Sequence, residues 1–252
     1  MSAVLLSEWT KIRTVRSTMW TLILTFLLTV AISMLFGLVV NSTFKNMPAH
    51  EKATFDPTSL SFSGFMFGQI ALIVFGVLIV STEYTTSMIR ASLAAVPQRG
   101  TFMFAKIAVG TVVALVVGMV TSFVAFFTAQ TALGSHGAGI GGPHVLRAVF
   151  GAGLYATLIC MFAMGIAMML RSSVLSLGIL IPLFFIVSPI LSAIPKVKTV
   201  AKYLPDQAGQ RITSTVADPN AAFGPWTGLL ILVAWTAASL LGGYLLLKNR
   251  DA

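Results

Sequence analysis

The chain has 252 residues, 57% of them hydrophobic and only 9% charged, with 16 Lys+Arg against 7 Asp+Glu and a net charge of +9. A soluble domain carries about a quarter of its residues as charges, so this composition excludes an ordinary water-soluble fold and points to the membrane class. The basic residues flank long apolar runs, which fits lipid headgroups and topology control and argues against nucleic acid as a partner.

In chain order, residues 2–17 (SAVLLSEWTKIRTVRS) come first. Leu5, Trp9, Ile12 and Met19 or Val15 share one helical face, with Glu8, Lys11, Arg13 and Arg16 elsewhere. This pattern predicts an amphipathic helix lying in the membrane interface, anchored by Trp9 and the basic side chains. The simpler alternative is a positively charged flank of the first span.

About 20 apolar residues cross the hydrocarbon core. Six stretches qualify: 19–40, 60–80, 107–129, 148–170, 173–194 and 226–247. The first exceeds the roughly 7–15 residues of a signal-peptide core and starts only after Arg16, so it is expected to remain as a span. Arg171-Ser172-Ser173 alone separates the fourth from the fifth, which calls for a tight helical hairpin. Pro182, Pro189 and Pro195 predict a kinked or broken fifth helix, tolerated where neighbouring helices satisfy the freed carbonyls. The whole chain, 1–252, reads as a single transmembrane domain.

Lys and Arg counts set the orientation. With both termini on one side, that side holds nine (Lys11, Arg13, Arg16, Arg90, Arg99, Lys106, Arg171, Lys248, Arg250) and the other seven (Lys45, Lys52, Arg147, Lys196, Lys198, Lys202, Arg211). The first helix dominates such contests, and its N-terminal flank is the more basic. Both termini are therefore expected in the cytoplasm.

All 23 charged side chains fall outside the six runs as drawn, 16 basic and 7 acidic. Ion-coupled transporters and proton pumps keep such groups within their spans as relays. If this chain transports, its energy is expected to come from elsewhere. Gln69, the most polar side chain at depth, suits an interhelical hydrogen bond. Gly64-x-x-x-Gly68 permits close helix packing, either within one subunit or across a dimer. The single Cys160 has no disulfide or zinc partner and reads as a small apolar residue in a helix.

The segment 81–106 (STEYTTSMIRASLAAVPQRGTFMFAK) carries the most information. Thr85, Thr86 or Ser87 can cap a short helix that puts Ile89, Leu93 and Val96 on one face and ends at Pro97 and Gly100. Glu83, Arg90, Arg99 and Lys106 surround that apolar ridge. Such a helix suits docking into a groove on a cytoplasmic partner; an ordinary solvated loop is the alternative.

Glu83 and Tyr84 after the second span, then Ser87, Met88-Ile89-Arg90, Leu93, Pro97, Arg99 and Lys106 opening the third, resemble the ABC-2-type transporter permeases. The N-terminal Ser7-Glu8-Trp9 with Lys11 and Arg13, the six spans and the total length match as well, so the resemblance covers essentially the whole chain. Members often have Gly directly before the aliphatic pair, where this chain has Ser87. The resemblance implies an all-α membrane protein of six transmembrane helices, with an N-terminal interfacial helix and a short cytoplasmic coupling helix between spans 2 and 3. It implies that 83–97 receives movement from a separate ATP-binding subunit and that Glu8, Trp9, Lys11 and Arg13 lie in a connecting helix at the same interface. It further implies two permease subunits, alike or different, over two ATPases that hold ATP and Mg. The assembly would export a substrate across a bacterial cytoplasmic membrane.

Other motifs lead nowhere. No G-x-x-x-x-G-K-[ST] occurs, so P-loop ATP hydrolysis is not expected of this chain. Gly137-Ala138-Gly139-Ile140-Gly141-Gly142 fits G-x-G-x-x-G only formally, since it joins two spans and lacks the strand-then-helix context. His50, His136 and His144 lack metal-ligand spacing and read as loop residues. Asn41-Ser42-Thr43 matches a glycosylation acceptor that matters only in a eukaryotic secretory pathway. No buried nucleophile–base set or carboxylate pair offers catalysis. In 196–224, Val197, Val200, Ala201 and Leu204 at helical spacing, beside Lys196, Lys198, Lys202, Asp206, Gln207 and Arg211, favour an interfacial helix at the exit over a plain loop. Spans rich in Phe and Met suit a hydrophobic or amphipathic drug, peptide or lipid, as any lipid-facing helix would. The reading from a different class is a non-transporting membrane scaffold or immunity-type protein.

Overall fold

The structure is a computed structural model, and it describes residues 2–85, 99–216 and 221–249. Helix α1 (Ser2–Thr14) leads after one extended residue, Val15, into α2 (Arg16–Thr43). Two short helices follow, α3 (Ala49–Ala53) and α4 (Pro57–Leu60), then the long α5 (Phe65–Thr85), α6 (Arg99–Leu133) and α7 (Val145–Leu170). The fifth span comprises α8 (Ser173–Pro182), a π-helical turn (Leu183–Val187) and α9 (Ser188–Ala193). Short α10 (Lys198–Ala201) and α11 (Pro205–Gln210) precede α12 (Pro225–Asn249). The described residues contain no strand, and six helical stretches are long and apolar enough to cross a membrane.

The fifth span breaks where its prolines require it. Pro182 has no N–H to donate and its ring crowds the preceding turn, and the backbone widens into the π-turn immediately after it. At the Arg171-Ser172 hairpin, Arg171 takes the left-handed conformation (φ 55°) usually left to Gly, and its N–H donates to Ala167 O at 2.9 Å. Ser172 then caps α8 by accepting from Leu175 N.

Helix α7 is the hub, in contact with α5, α6 and α12. About two-thirds of the α5 and α7 spans is buried in the protein, against less than a third of α2, the fifth span and α12. Small residues make this possible. A Cβ on Gly165 would strike the Ser239 backbone of α12, and one on Gly76 of α5 would meet Cys160 O of α7. Gly64 and Gly68 lie against Thr29 and Ser33 of α2, so this pair serves packing within the subunit. Its partner surface is a stripe of Thr18, Thr21, Thr25, Thr29 and Ser33 on the buried face of α2. Thr21 and Thr25 return their hydroxyls to carbonyls one turn back, which satisfies them away from water.

Three boundaries differ from the sequence reading. Helix α5 covers 65–85, not 60–80, because Ser61–Gly64 forms successive turns bonded back to Thr58, Ser59 and Leu60. Helix α6 starts at Arg99, eight residues ahead of 107, because Phe102, Met103 and Ala105 are themselves buried. The acidic Glu83 and basic Lys106 therefore sit within the ends of spanning helices, which corrects the expectation that every charge lies outside them. Within 196–216 the chain forms two short helices, α10 and α11, and while residues 196–200 are largely exposed, α11 turns inward. Asp206, Ala208 and Gly209 are buried, with Gly209 against Tyr155 and Leu232 and Ala208 O against Gly228.

Candidate functional site: an ion-pair knot and a polar cavity on opposite faces

Helices α1, α5 and α6 meet on the face that carries the start of α1 and the end of α12. Glu8 and Lys11 are one turn apart on α1, Glu83 is in the last turn of α5, and Lys106 is two turns into α6. Lys106 Nζ donates to Glu8 Oε2 at 2.6 Å, to Glu83 Oε1 at 2.9 Å and to Ile79 O at 3.3 Å. Lys11 Nζ donates to Glu8 Oε1 at 2.7 Å and to the same Glu83 Oε1 at 2.6 Å. Two acids and two bases thus form one neutral knot.

Burial makes the knot more than a surface pairing. The Glu8, Glu83 and Lys106 side chains are 3%, 6% and 3% exposed, while Lys11 is 30% exposed. Glu83 stands at the C-terminal end of α5, where the helix dipole opposes a carboxylate, so the two lysines must compensate both dipole and desolvation. Burial alone would raise the Glu8 carboxyl, yet the charges and hydrogen bonds of Lys106 and Lys11 outweigh it and hold Glu8 below the ordinary value. Burial alone would lower the Lys11 ammonium, yet its bonds to Glu8 and Glu83 outweigh that and raise it.

Of the residues singled out in the sequence, Glu8, Lys11, Glu83 and Lys106 are brought together. Glu8 lies on the protein-facing side of α1 beside Ile12, and Trp9 is 41% exposed on the edge of an apolar groove between α1 and α6. Arg13 is exposed. Tyr84 is half-buried with the Arg171 guanidinium over its ring, and Arg171 also donates to Leu246 O of α12. Ser87, Met88, Ile89, Arg90, Leu93 and Pro97 lie outside the described residues, as does the Arg99 side chain at the start of α6.

The opposite face holds a cavity of about 550 Å³, bordered by α2, α4, α5, α7, the fifth span and α11. Tyr155 Oη donates to Gln69 Oε1 at 2.6 Å and accepts from Gln210 Nε2, so Gln69 makes the interhelical bond its depth called for. Ser188 Oγ and Gln207 Nε2 both donate to Asp206 Oδ2. Burial pushes the Asp206 carboxyl above the ordinary aspartate value, against the pull of these hydrogen bonds.

Asp56, on the cavity wall, ties distant segments together. It caps α4 through Thr58 N and Ser59 N and accepts from Thr215 N at 2.6 Å, Thr215 Oγ1 at 2.8 Å and Val216 N at 3.0 Å. Burial raises this carboxyl, and the donors more than offset it, leaving it below the ordinary value. Sequence reasoning missed Asp56, and it left Asp206 as one loop residue among several. The available signals were Asp56-Pro57, an N-cap followed by a first-turn proline, and Pro205 followed by the small Ala208 and Gly209.

His136 stacks on Phe44, with ring centroids 3.8 Å apart, and His144 takes a left-handed turn before α7. The described residues include no group of His, Cys, Asp and Glu that could hold a metal ion.

Six apolar helices, one of them a buried hub, with charges neutralised at one end, define a multi-pass helical membrane protein. The family described as ABC-2 family transporter protein matches residues 4–191, from α1 to the end of the fifth span, and the chain belongs to that family. It is thus a membrane transport component, a permease, of a kind that generally works with an ATP-binding subunit and is not itself the catalyst. Comparison with curated proteins finds no match.

Proposed function

We propose that this chain is the permease subunit of an ATP-driven exporter in the cytoplasmic membrane of a bacterium, with both termini in the cytoplasm. Two permease subunits, identical or related, pair over two copies of an ATP-binding subunit, which bind ATP and Mg and hydrolyse the nucleotide. The 83–97 segment takes up their movement. The observation that carries the reading is Lys106 held between Glu8 and Glu83. The two helices flanking 86–98 and the N-terminal helix are pinned at one point, so a push on that segment moves α1, α5 and α6 together. Separating the buried pairs would cost several kcal/mol, which favours rigid-body motion over local deformation. The cargo is an apolar or amphipathic molecule.

The test uses the complex with its ATPase. Val200, 69% exposed on the opposite face, is replaced by Cys, while the native Cys160 is buried. In the otherwise wild-type complex, ATP should change the rate of maleimide labelling at position 200. Glu83→Gln and Arg90→Ala should abolish that change while ATP hydrolysis and membrane insertion persist. Wild-type ATP response in both variants would refute the coupling role. Failure of any ATP-binding subunit to co-purify would refute the exporter and support a scaffold.

A further inference from the structure

The cavity on the face opposite the knot contains the one buried carboxylate, among the described residues, that has no cation. Asp206 is 2% exposed, and all four described ion pairs lie at the knot. Its Oδ2 accepts from Ser188 and Gln207, but its Oδ1 has no partner. The Ser63 hydroxyl, which also lines the cavity, is buried and unpartnered too. Unsatisfied buried acceptors are costly, and each calls for a donor.

The remaining walls identify that donor. Phe62, Phe65, Phe184 and Tyr155 line the same space, and Gln69 and Gln210 add amide groups. A divalent metal ion would need six or more oxygens, several of them charged, and of the cavity's two carboxylates Asp56 is already taken up by Thr58, Ser59, Thr215 and Val216, which leaves Asp206. Aromatic faces around the one carboxylate with a free oxygen, Asp206, suit an organic ammonium, whose charge meets both the acid and the ring faces. A volume of about 550 Å³ is within the range of drug-sized ligand sites. Met66 and Phe36, 42% and 43% exposed, stand at the rim between α5 and α2.

We propose that this cavity is a binding subsite for an amphipathic organic amine, with Asp206 as counter-ion to the ammonium and the aromatic walls against the apolar body. The inference names a cargo class for the exporter and rests on that reading only in calling the guest a substrate.

The test needs no ATPase. The full chain in lipid nanodiscs is titrated with dansylcadaverine, which carries a primary ammonium, and with its N-acetyl derivative, which does not, and empty nanodiscs give the lipid background. The amine should bind about ten- to a hundredfold more tightly than the acetylated probe, the factor expected of a charge-assisted bond. Asp206→Asn should remove that preference and leave the acetylated probe unaffected. Met66→Trp, which narrows the rim without touching the Asp206 bonds, should weaken both probes. Equal binding of the two probes to the wild type, or a preference that survives in Asp206→Asn, would overturn the proposal, as would unchanged binding in Met66→Trp. Loss of ATP coupling leaves this result standing, and an intact exporter with no amine preference refutes the subsite alone.

Discussion

Replacing Lys106 by Met separates the contributions of two lysines that hold the same pair of acids. The substitution keeps the length and apolar stem and removes the ammonium that donates to Glu8 and Glu83 at 2.6 and 2.9 Å. Lys11 remains, so one negative charge of two is left uncompensated in a site where the acids are 3% and 6% exposed. Removing one partner of a buried pair costs about 3–5 kcal/mol, chiefly the desolvation of the orphaned charge. Lys11→Met breaks two bonds of similar length, 2.7 and 2.6 Å, but both partner carboxylates keep Lys106 and the Lys11 side chain, 30% exposed, leaves its end of the knot open to water. Its cost should be about 1 kcal/mol. For a domain of this size, 1 kcal/mol moves Tm by roughly 2–4 °C, so Lys106→Met should fall by roughly 6–20 °C and Lys11→Met by roughly 2–4 °C. Thermal unfolding of the purified chain at fixed detergent, followed by circular dichroism, measures both. Adding Glu8→Gln to Lys106→Met restores neutrality and should recover part of the loss, because the two sites are directly bonded. Equal losses for the two lysine variants, or no recovery in the double variant, would refute the reasoning.

The knot also defines a pH window. Glu8 is held below its ordinary value of 4.5, so its contribution is present above that value and disappears as pH falls through the lower folded value. Lys11 is raised above 10.5, so its contribution is full below that value and disappears as pH rises through the higher folded value. Tm should therefore drop as pH falls below 4.5, and Glu8→Gln should flatten that acid limb; an unchanged limb in the variant would reject Glu8 as its source. At the α2–α5 crossing, Gly64→Val should cost about 3 kcal/mol or more, since even a Cβ there meets the Thr29 carbonyl and the Ser33 hydroxyl. The loss should be the same at all protein concentrations, as expected of contacts within one subunit, and a concentration-dependent loss would place the glycine at a dimer contact instead.

Much of the fold was legible because lipid imposes a simple rule: a spanning helix needs a long apolar run and must satisfy its own backbone. Five of the six runs begin or end within a few residues of their helices, and Pro182 marked the break in the fifth. The Glu83–Lys106 pattern also marked the two residues that meet on α5 and α6. What could not be read was which charge faces which. Helical spacing put Glu8 on the polar side of α1, yet it is the protein-facing residue, because Lys106, 98 residues away, joins Lys11 in neutralising it. The hydropathy windows stopped at Lys106 and before Glu83, although helix α6 extends to Arg99 and α5 to Thr85.

Sequence alone thus determined the membrane class, the number of spans, the proline break and the family resemblance, since each depends on local composition or short-range pattern. The tertiary structure decided the three-helix knot, the stacking of Gly64 on Thr29, and the inward fold of Pro205–Gln210 that buries Asp206 beside Ser188 and Tyr155. These depend on contacts between residues far apart in the chain. In a low-dielectric interior the energy of a charge or a polar atom is set by what stands next to it, and no window along the sequence contains that neighbour.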